Sequence, residues 1–315
     1  MNIEALKLIK FERYFLATIM TIVMFFLAEI TNQQEIIFPE ILAIMTGAWI
    51  AKKQPWSVNK RKIFFLTCIA SVLGVSIVRY LPFGMFFQVA LCFILIGIIL
   101  FLSKTTFIPI ISACILPIYL GTTTWVYSIS VSIMAFIIII GQWLMEKYHL
   151  RSINHYNKEN FDIKKEFRWW CKLFFIFGVI SILPINTHNI FLLAPPLIVT
   201  FVEFSNPKSC LRAKAKNIYF LIVGASLIGY GIRLLLSYFL PCPLVVGACL
   251  ACILLFAIFD YTRLLFPPAG AILLLPMILD INDVVFFPMQ VALGTLILIP
   301  LAILSFPAQK IKKQA

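Results

Sequence analysis

The stretch "RLLFPPAGAILLLP", residues 263–276, decides how this chain is read. It is almost wholly apolar, as a buried or membrane helix should be, yet it holds adjacent prolines, a glycine and a closing proline. Proline lacks an N–H and clashes with the preceding turn, so a pair inside a helix breaks it. The rest of the chain says what surrounds the break. Hydrophobic residues make up 62% and charged residues 12%, with a mean hydropathy of +1.01, whereas soluble domains run at roughly 45–50% and about 25%. The longest polar stretch, residues 147–166, falls well short of the roughly 50 residues of a small domain. The chain therefore reads as an all-α polytopic membrane protein. Its N-terminal apolar run is too long for a signal-peptide core and lacks a small-residue cleavage site, so it reads as a retained first span.

A net charge of +13 raises nucleic acid as a partner, but the placement of the bases excludes it. Apolar runs fall at about 12–30, 36–51, 62–80, 84–102, 106–121, 125–145, 168–185, 188–204, 217–239, 243–259, 264–279 and 284–306. Several are shorter than the roughly 20 residues an upright helix needs, which suits tilted or broken segments. If each crosses and the N-terminus is cytoplasmic, all 26 lysines and arginines except Arg79 and Arg233 lie on or beside the cytoplasmic side. The opposite loops, "TNQQE", "GTTT", "INTHN" and "DIND", hold none. That is the positive-inside pattern, and it predicts an inner (plasma) membrane protein with both termini cytoplasmic. The eight cysteines lie mostly in apolar runs, as small buried hydrophobes do. Cys249 and Cys252 form a C-x-x-C, but no second pair or nearby histidine completes a zinc set.

The segments also repeat. "KIFFLTCIASVLGVSIV" from Lys62 lies over "NIYFLIVGASLIGYGIR" from Asn217, pairing Ser71 with Ser226 and Gly74 with Gly229. "SKTTFIPIISACILPI" from Ser103 lies over "TRLLFPPAGAILLLPM" from Thr262, pairing Lys104 with Arg263, Phe107 with Phe266, Pro109 with Pro268 and Pro117 with Pro276. The expected organisation is a first membrane repeat over residues 1–146, a solvated cytoplasmic linker over 147–166 and a second repeat over 167–315. Six segments per copy bring the second copy into the membrane in the same direction as the first, a parallel repeat.

Irregular backbone survives at membrane depth only beside protein or a water-filled cavity, and interrupted helices point to a transporter's binding site. Helix N-termini attract anions. The candidate substrate-binding residues are therefore those of the broken segment, Phe266, Pro267 and Pro268, and Arg263 before it, with Lys104 in the matching place of the first copy. A packing alternative stays open: Pro267 could open a short helix whose small residues let neighbours approach. Glu203 and Asp260, at the ends of spans, are candidates for proton coupling; pairing with Arg263 or Lys208 would explain them structurally. Glu29 and Glu40 read as solvated residues near the opposite interface. His149, His155 and His188 share no metal spacing, and no P-loop, G-x-S-x-G or H-E-x-x-H is present. No metal, cofactor or enzymatic activity is expected.

The second copy resembles the HPP family of integral membrane proteins from about residue 193 to 278. "YTRLLFPPAGAILLLP" is similar to that family's T-R-x-x-H-P-P-A-G-A-x-x-L-L-P signature, with Phe266 in place of its histidine, and by that resemblance Thr262, Arg263, Pro267, Pro268, Ala269 and Gly270 are carried over as candidate substrate-binding residues. "APPLIVTFVEFSNPKSCLRAKAKNIY" is similar to the segment preceding it. The first copy, "AIMTGAWIAKKQPWSVNKRKIFFLTCIASVLG", looks more like the membrane half of fusaric-acid-resistance and aromatic-acid exporters. These resemblances imply transport of a small anion such as nitrite or an organic acid. The partners expected are that anion and the lipid bilayer, with a homo-oligomer left open. The alternative from a different class is a membrane scaffold or assembly protein whose basic cytoplasmic face binds a partner or anionic lipid.

Overall fold

The computed structural model describes residues 3–153, 162–239 and 242–307. Every expected apolar segment holds an α-helix, and among the described residues there is no strand. The helices are α1 (Ile3–Thr31), α2 (Glu40–Met45), α3 (Lys60–Tyr80), α4 (Met85–Ser103), α5 (Ile110–Leu120) and α6 (Val126–Lys147). After the linker come α7 (Ile163–Asn186), α8 (Pro195–Ser205), α9 (Ala215–Leu234), α10 (Leu244–Thr262), α11 (Pro267–Leu274) and α12 (Ile281–Ser305). Eight described helices are long and apolar enough to cross a membrane. The remaining four, α2, α5, α8 and α11, are short, two in each half of the chain, and fall on apolar runs that the sequence already marked as too short for an upright span.

Local chemistry sets these lengths. Asn59 caps α3 by accepting from Lys62 N at 2.8 Å, and Asp162 caps α7 by accepting from Lys164 N and Lys165 N. Glu29, expected in solvent, accepts from Leu244 N and Val245 N and so closes the N-terminus of α10. The double prolines of α8 and α11 occupy the first helical turn, where a missing N–H costs nothing. Pro267 and Pro268 therefore start a helix; the interruption itself is the link 263–266, which leaves α10 through a left-handed Arg263, φ 52°. Lys104 ends α4 in the same way, also at φ 52°.

Polar side chains within the spans bond to their own backbone: Thr21 donates to Ala17 O at 3.0 Å, Thr67 to Ile63 O at 2.7 Å and Thr295 to Val291 O at 2.6 Å. This removes the cost of carrying a hydroxyl into hydrocarbon. Large apolar side chains face outward along the long helices, among them Phe65, Phe87, Ile129, Phe175 and Leu296. An apolar exterior of that extent suits lipid and not water.

The two halves are interleaved. α1 packs on α10 and α7 on α4, while α2 packs on α11 and α8 on α5. Contacts gather the connections at two ends. At one, Arg13 donates to Trp49 O and Ile50 O, Lys60 pairs with Glu146, and Lys172 donates to Ser305 O. At the other, Arg79 donates to Thr123 O and Tyr119 to Leu193 O. Of the expected solvated linker, residues 154–161, with His155, lie outside the described residues, as does the tail 308–315. Its described beginning, residues 147–153, is mostly exposed, with one buried residue: Arg151 is 5% exposed and donates to Gly47 O at 3.5 Å. Burial lowers this guanidinium to about 10, against the raising effect of Glu146.

Candidate functional site

The four short helices meet by their first turns. A cavity of ≈ 10 Å³ at the meeting point is lined by Glu40 and Ala43 of α2, Pro109 and Ser112 leading α5, Pro196 and Val199 of α8, and Pro267, Pro268 and Ala271 of α11. From each helix come residues three apart, one turn of a single face. Each helix also begins at proline: Pro39, Pro109, Pro195 and Pro267. Two of these, Pro39 and Pro267, directly follow a wholly buried phenylalanine, Phe38 or Phe266, and Phe107, equally buried, stands two residues before Pro109. The buried ring anchors the link, and the proline pre-sets the backbone for the first turn.

Gly270 makes the junction close. A Cβ there would lie 3.1 Å from Leu42 Cγ and 3.3 Å from Ala43 N, so α11 touches the α2 backbone. The same closeness recurs behind the junction: a Cβ at Gly74 would fall 2.3 Å from Cys114 O, and one at Gly229 would fall 2.3 Å from Leu273 O.

The junction's polar side chains are Glu40 and Ser112. Glu40, expected to be solvated, is 1% exposed. Its Oε1 accepts from the Ser112 hydroxyl, and its Oε2 has no partner. The cause is positional, since the extended lead-in before Pro39 carries the chain inward before α2 begins. The sequence signal was "FPEI": proline with a carboxylate at the first helical position, in the same form as "FPPA".

A larger cavity of ≈ 270 Å³ opens at the basic end, lined by Lys104, Thr105, Thr106, Ile108, Lys165, Trp169, Asn206 and Lys208, among others. The chain from Thr105 to Ile108 walls this cavity and then enters the junction at Pro109. Asn206 and Pro207 follow α8, whose first turn lines the junction.

The expected site residues separate accordingly. Pro267 and Pro268 line the junction, and Phe266, Ala269 and Gly270 are buried beside it. Lys104 lines the larger cavity. Thr262 and Arg263 are exposed and line neither, with the Thr262 hydroxyl donating to Ile258 O at 2.7 Å. Asp260 is engaged at the surface by Lys10, at 2.5 Å, and by the Tyr14 hydroxyl, at 2.6 Å; its partners are on α1, not the expected Arg263. Glu203 is buried, with Oε1 accepting from Trp56 Nε1 at 3.4 Å and Oε2 unpartnered. The prolines also limit what the junction can donate. They remove N–H groups at the starts of α8 and α11, and the next donors are used locally, Leu197 N to Ala194 O and Ala269 N to Phe266 O.

No curated protein and no solved structure matches the chain. Residues 158–313, a stretch that takes in all of α7 to α12 and so the α8 and α11 sides of the junction, match the family model described as HPP, transmembrane region. The chain is thus a multi-pass membrane protein whose second half matches the transmembrane region of the HPP family.

Proposed function

We propose that the chain is a transporter or permease for a small anion, with the junction of the four short helices as its binding place and the basic-end cavity as its approach. The observation that carries this reading is the convergence of four proline-led first turns on one point inside the bundle. Helix N-termini bring partial positive charge, and interrupted helices meeting at depth are a transporter's usual means of building a site. Lys104 and Lys208 line the approach, Arg263 adds surface charge at the basic end, and Pro267, Pro268 and Gly270 shape the junction. On this reading the chain is not an enzyme.

The frame we propose is a parallel repeat of six segments, both termini on the cytoplasmic side of an inner membrane. The order long, short, long, long, short, long in each half supports it. So do the matching Gly74 and Gly229 approaches and the reciprocal packing of α1 on α10 and α7 on α4. A cysteine introduced at Thr123 is expected to react with an impermeant reagent from outside; reaction only from the cytoplasm overturns the orientation.

Flux of nitrite and nitrate into proteoliposomes at neutral pH tests the function. The parent should exceed protein-free liposomes for at least one of them, and Gly270→Leu should abolish the excess by wedging α11 from α2. Parent flux equal to that of protein-free liposomes overturns the reading.

A further inference from the structure

Glu40 is a carboxyl buried inside the helical bundle in a lining otherwise made of proline, alanine, valine and one serine. Such a group is costly to keep without a partner and is functional by default. Neither described ion pair includes it, and Oε2 is buried without a hydrogen bond. Its neighbours supply no base. α8 and α11 present Pro196, Val199, Pro267, Pro268 and Ala271. From α6 comes Tyr127, whose hydroxyl donates to Ala113 O at 2.9 Å; Cys114 on α5 and Cys92 on α4 lie within electrostatic reach of that phenol. α1 contributes Met24, whose sulfur accepts from Phe38 N. What favours negative charge here is the field of the α5, α8 and α11 N-termini, each worth roughly half a positive charge. At α8 and α11 that field acts without direct donors at the first two positions, because those positions are proline.

We propose that Glu40 is an exchangeable proton site that shares the junction with the transported anion. Ionised, its carboxylate is itself the anion held by the converging helix ends. Protonated, it leaves that place to the conjugate base of a small acid, so one proton loads with each monovalent anion. Two unit charges of like sign about 4 Å apart, at an effective dielectric near 20, disfavour joint occupancy by roughly a thousandfold in affinity. Field and carboxylate together therefore hold one negative charge, not two. The proton comes from water in the basic-end cavity and forms an O–H bond at Oε2, while Ser112 continues to donate to Oε1. On release that O–H bond breaks and the proton returns to water with the anion. The junction's ≈ 10 Å³ has room for about one water, so loading requires the short helices to part. This proposal rests on the transport reading above and assigns its coupling group.

Two measurements on the full-length protein separate the proposal from that reading. The first is the infrared difference spectrum on stepping pH, which needs no substrate. A buried-carboxyl C=O band present in the parent, lost in Glu40→Gln and displaced in Ser112→Ala is the expected result. A spectrum unchanged by Glu40→Gln overturns the proton site. The second is nitrite and nitrate flux in proteoliposomes with internal pH recorded by a trapped dye. The parent should carry one proton per anion, whereas in Glu40→Gln, isosteric and still able to accept from Ser112, the number of protons accompanying each anion that crosses should fall at least tenfold, whatever the size of the flux. Equal proton-to-anion ratios in parent and variant overturn the coupling. A titrating Glu40 band in a parent that moves neither anion overturns the transport reading and the coupling with it.

Discussion

Around the junction the two halves of the chain present the same geometry with different chemistry. The first half offers Glu40 and Ser112, an acceptor and a donor bonded to each other. The second half offers Pro196, Pro267, Pro268 and Ala271, with no side chain able to do either. Yet each half contributes two short helices, each beginning at proline and each showing residues one turn apart. The difference teaches that shape and chemistry are specified separately. Proline, buried phenylalanine and close glycine contacts set where a helix begins and how near it comes, leaving side chains on the inner face free to diverge. The half that carries the most conspicuous motif, "FPPAGA", supplies the form of the junction, and the half with the plainer "FPEI" supplies its polar groups.

If the shared geometry is structural, equivalent glycines should fail equally, and this is where the largest effect is expected. Gly74→Val and Gly229→Val each drive a branched side chain into a carbonyl oxygen that would lie 2.3 Å from the first added carbon. Backbone cannot step aside as a flexible side chain can, so each should cost at least ~3 kcal/mol. Thermal unfolding in detergent and the monodisperse yield measure it. A large loss at one glycine and none at the other would break the equivalence of the halves.

A middle-sized effect distinguishes how the halves secure their basic ends. The first uses an ion pair: Lys60 meets Glu146 at 2.5 Å, with Glu146 only 6% exposed and also accepting from Gln142 Nε2 at 3.1 Å. The second uses a guanidinium on carbonyls, Arg212 donating to Ile303 O at 2.9 Å and Asn206 O at 3.5 Å. Removing Lys60 leaves the buried Glu146 charge with only Gln142 and the nearby Arg151 guanidinium to compensate it, so Lys60→Met should cost about 2 kcal/mol, with much of the loss recovered by adding Glu146→Gln. Arg212→Met strands only carbonyls and should cost about 1 kcal/mol. Equal losses for the two, or no recovery in the double variant, would show that the Glu146 charge is compensated elsewhere.

These contrasts also mark what the sequence made legible. Segment positions were, because a run of twenty apolar residues has few alternatives and a proline pair limits where a helix can start. The paired prolines and glycines of α3, α5, α9 and α11 could be aligned because they are anchored by backbone geometry, which admits few residue types. What could not be read was depth. Glu40 lies close to the polar "TNQQE" in the sequence and so suggests an interface, but its extended lead-in takes it inside. Arg263 adjoins the motif in sequence yet faces outward, because a single left-handed residue turns the chain between helix and link. Asp260 found its partners on α1, more than two hundred residues away, and no local spacing announces such a meeting.

The smallest effect bears on that left-handed turn, which both halves use. Lys104 and Arg263 sit at φ 52° at the ends of α4 and α10, a conformation that costs a residue with a Cβ roughly 1–2 kcal/mol. Glycine removes that strain, but it also loosens the unfolded chain and deletes a positive charge that favours a helix C-terminus by about 0.3–1 kcal/mol. The balance predicts a net gain of only ~0.5 kcal/mol for Arg263→Gly, whose side chain is exposed. Lys104→Gly relieves the same strain but removes a side chain that walls the larger cavity, so its gain should be smaller or reversed. Thermal unfolding of both variants beside the parent checks this. Equal gains would mean that the Lys104 side chain contributes nothing to stability where it lies.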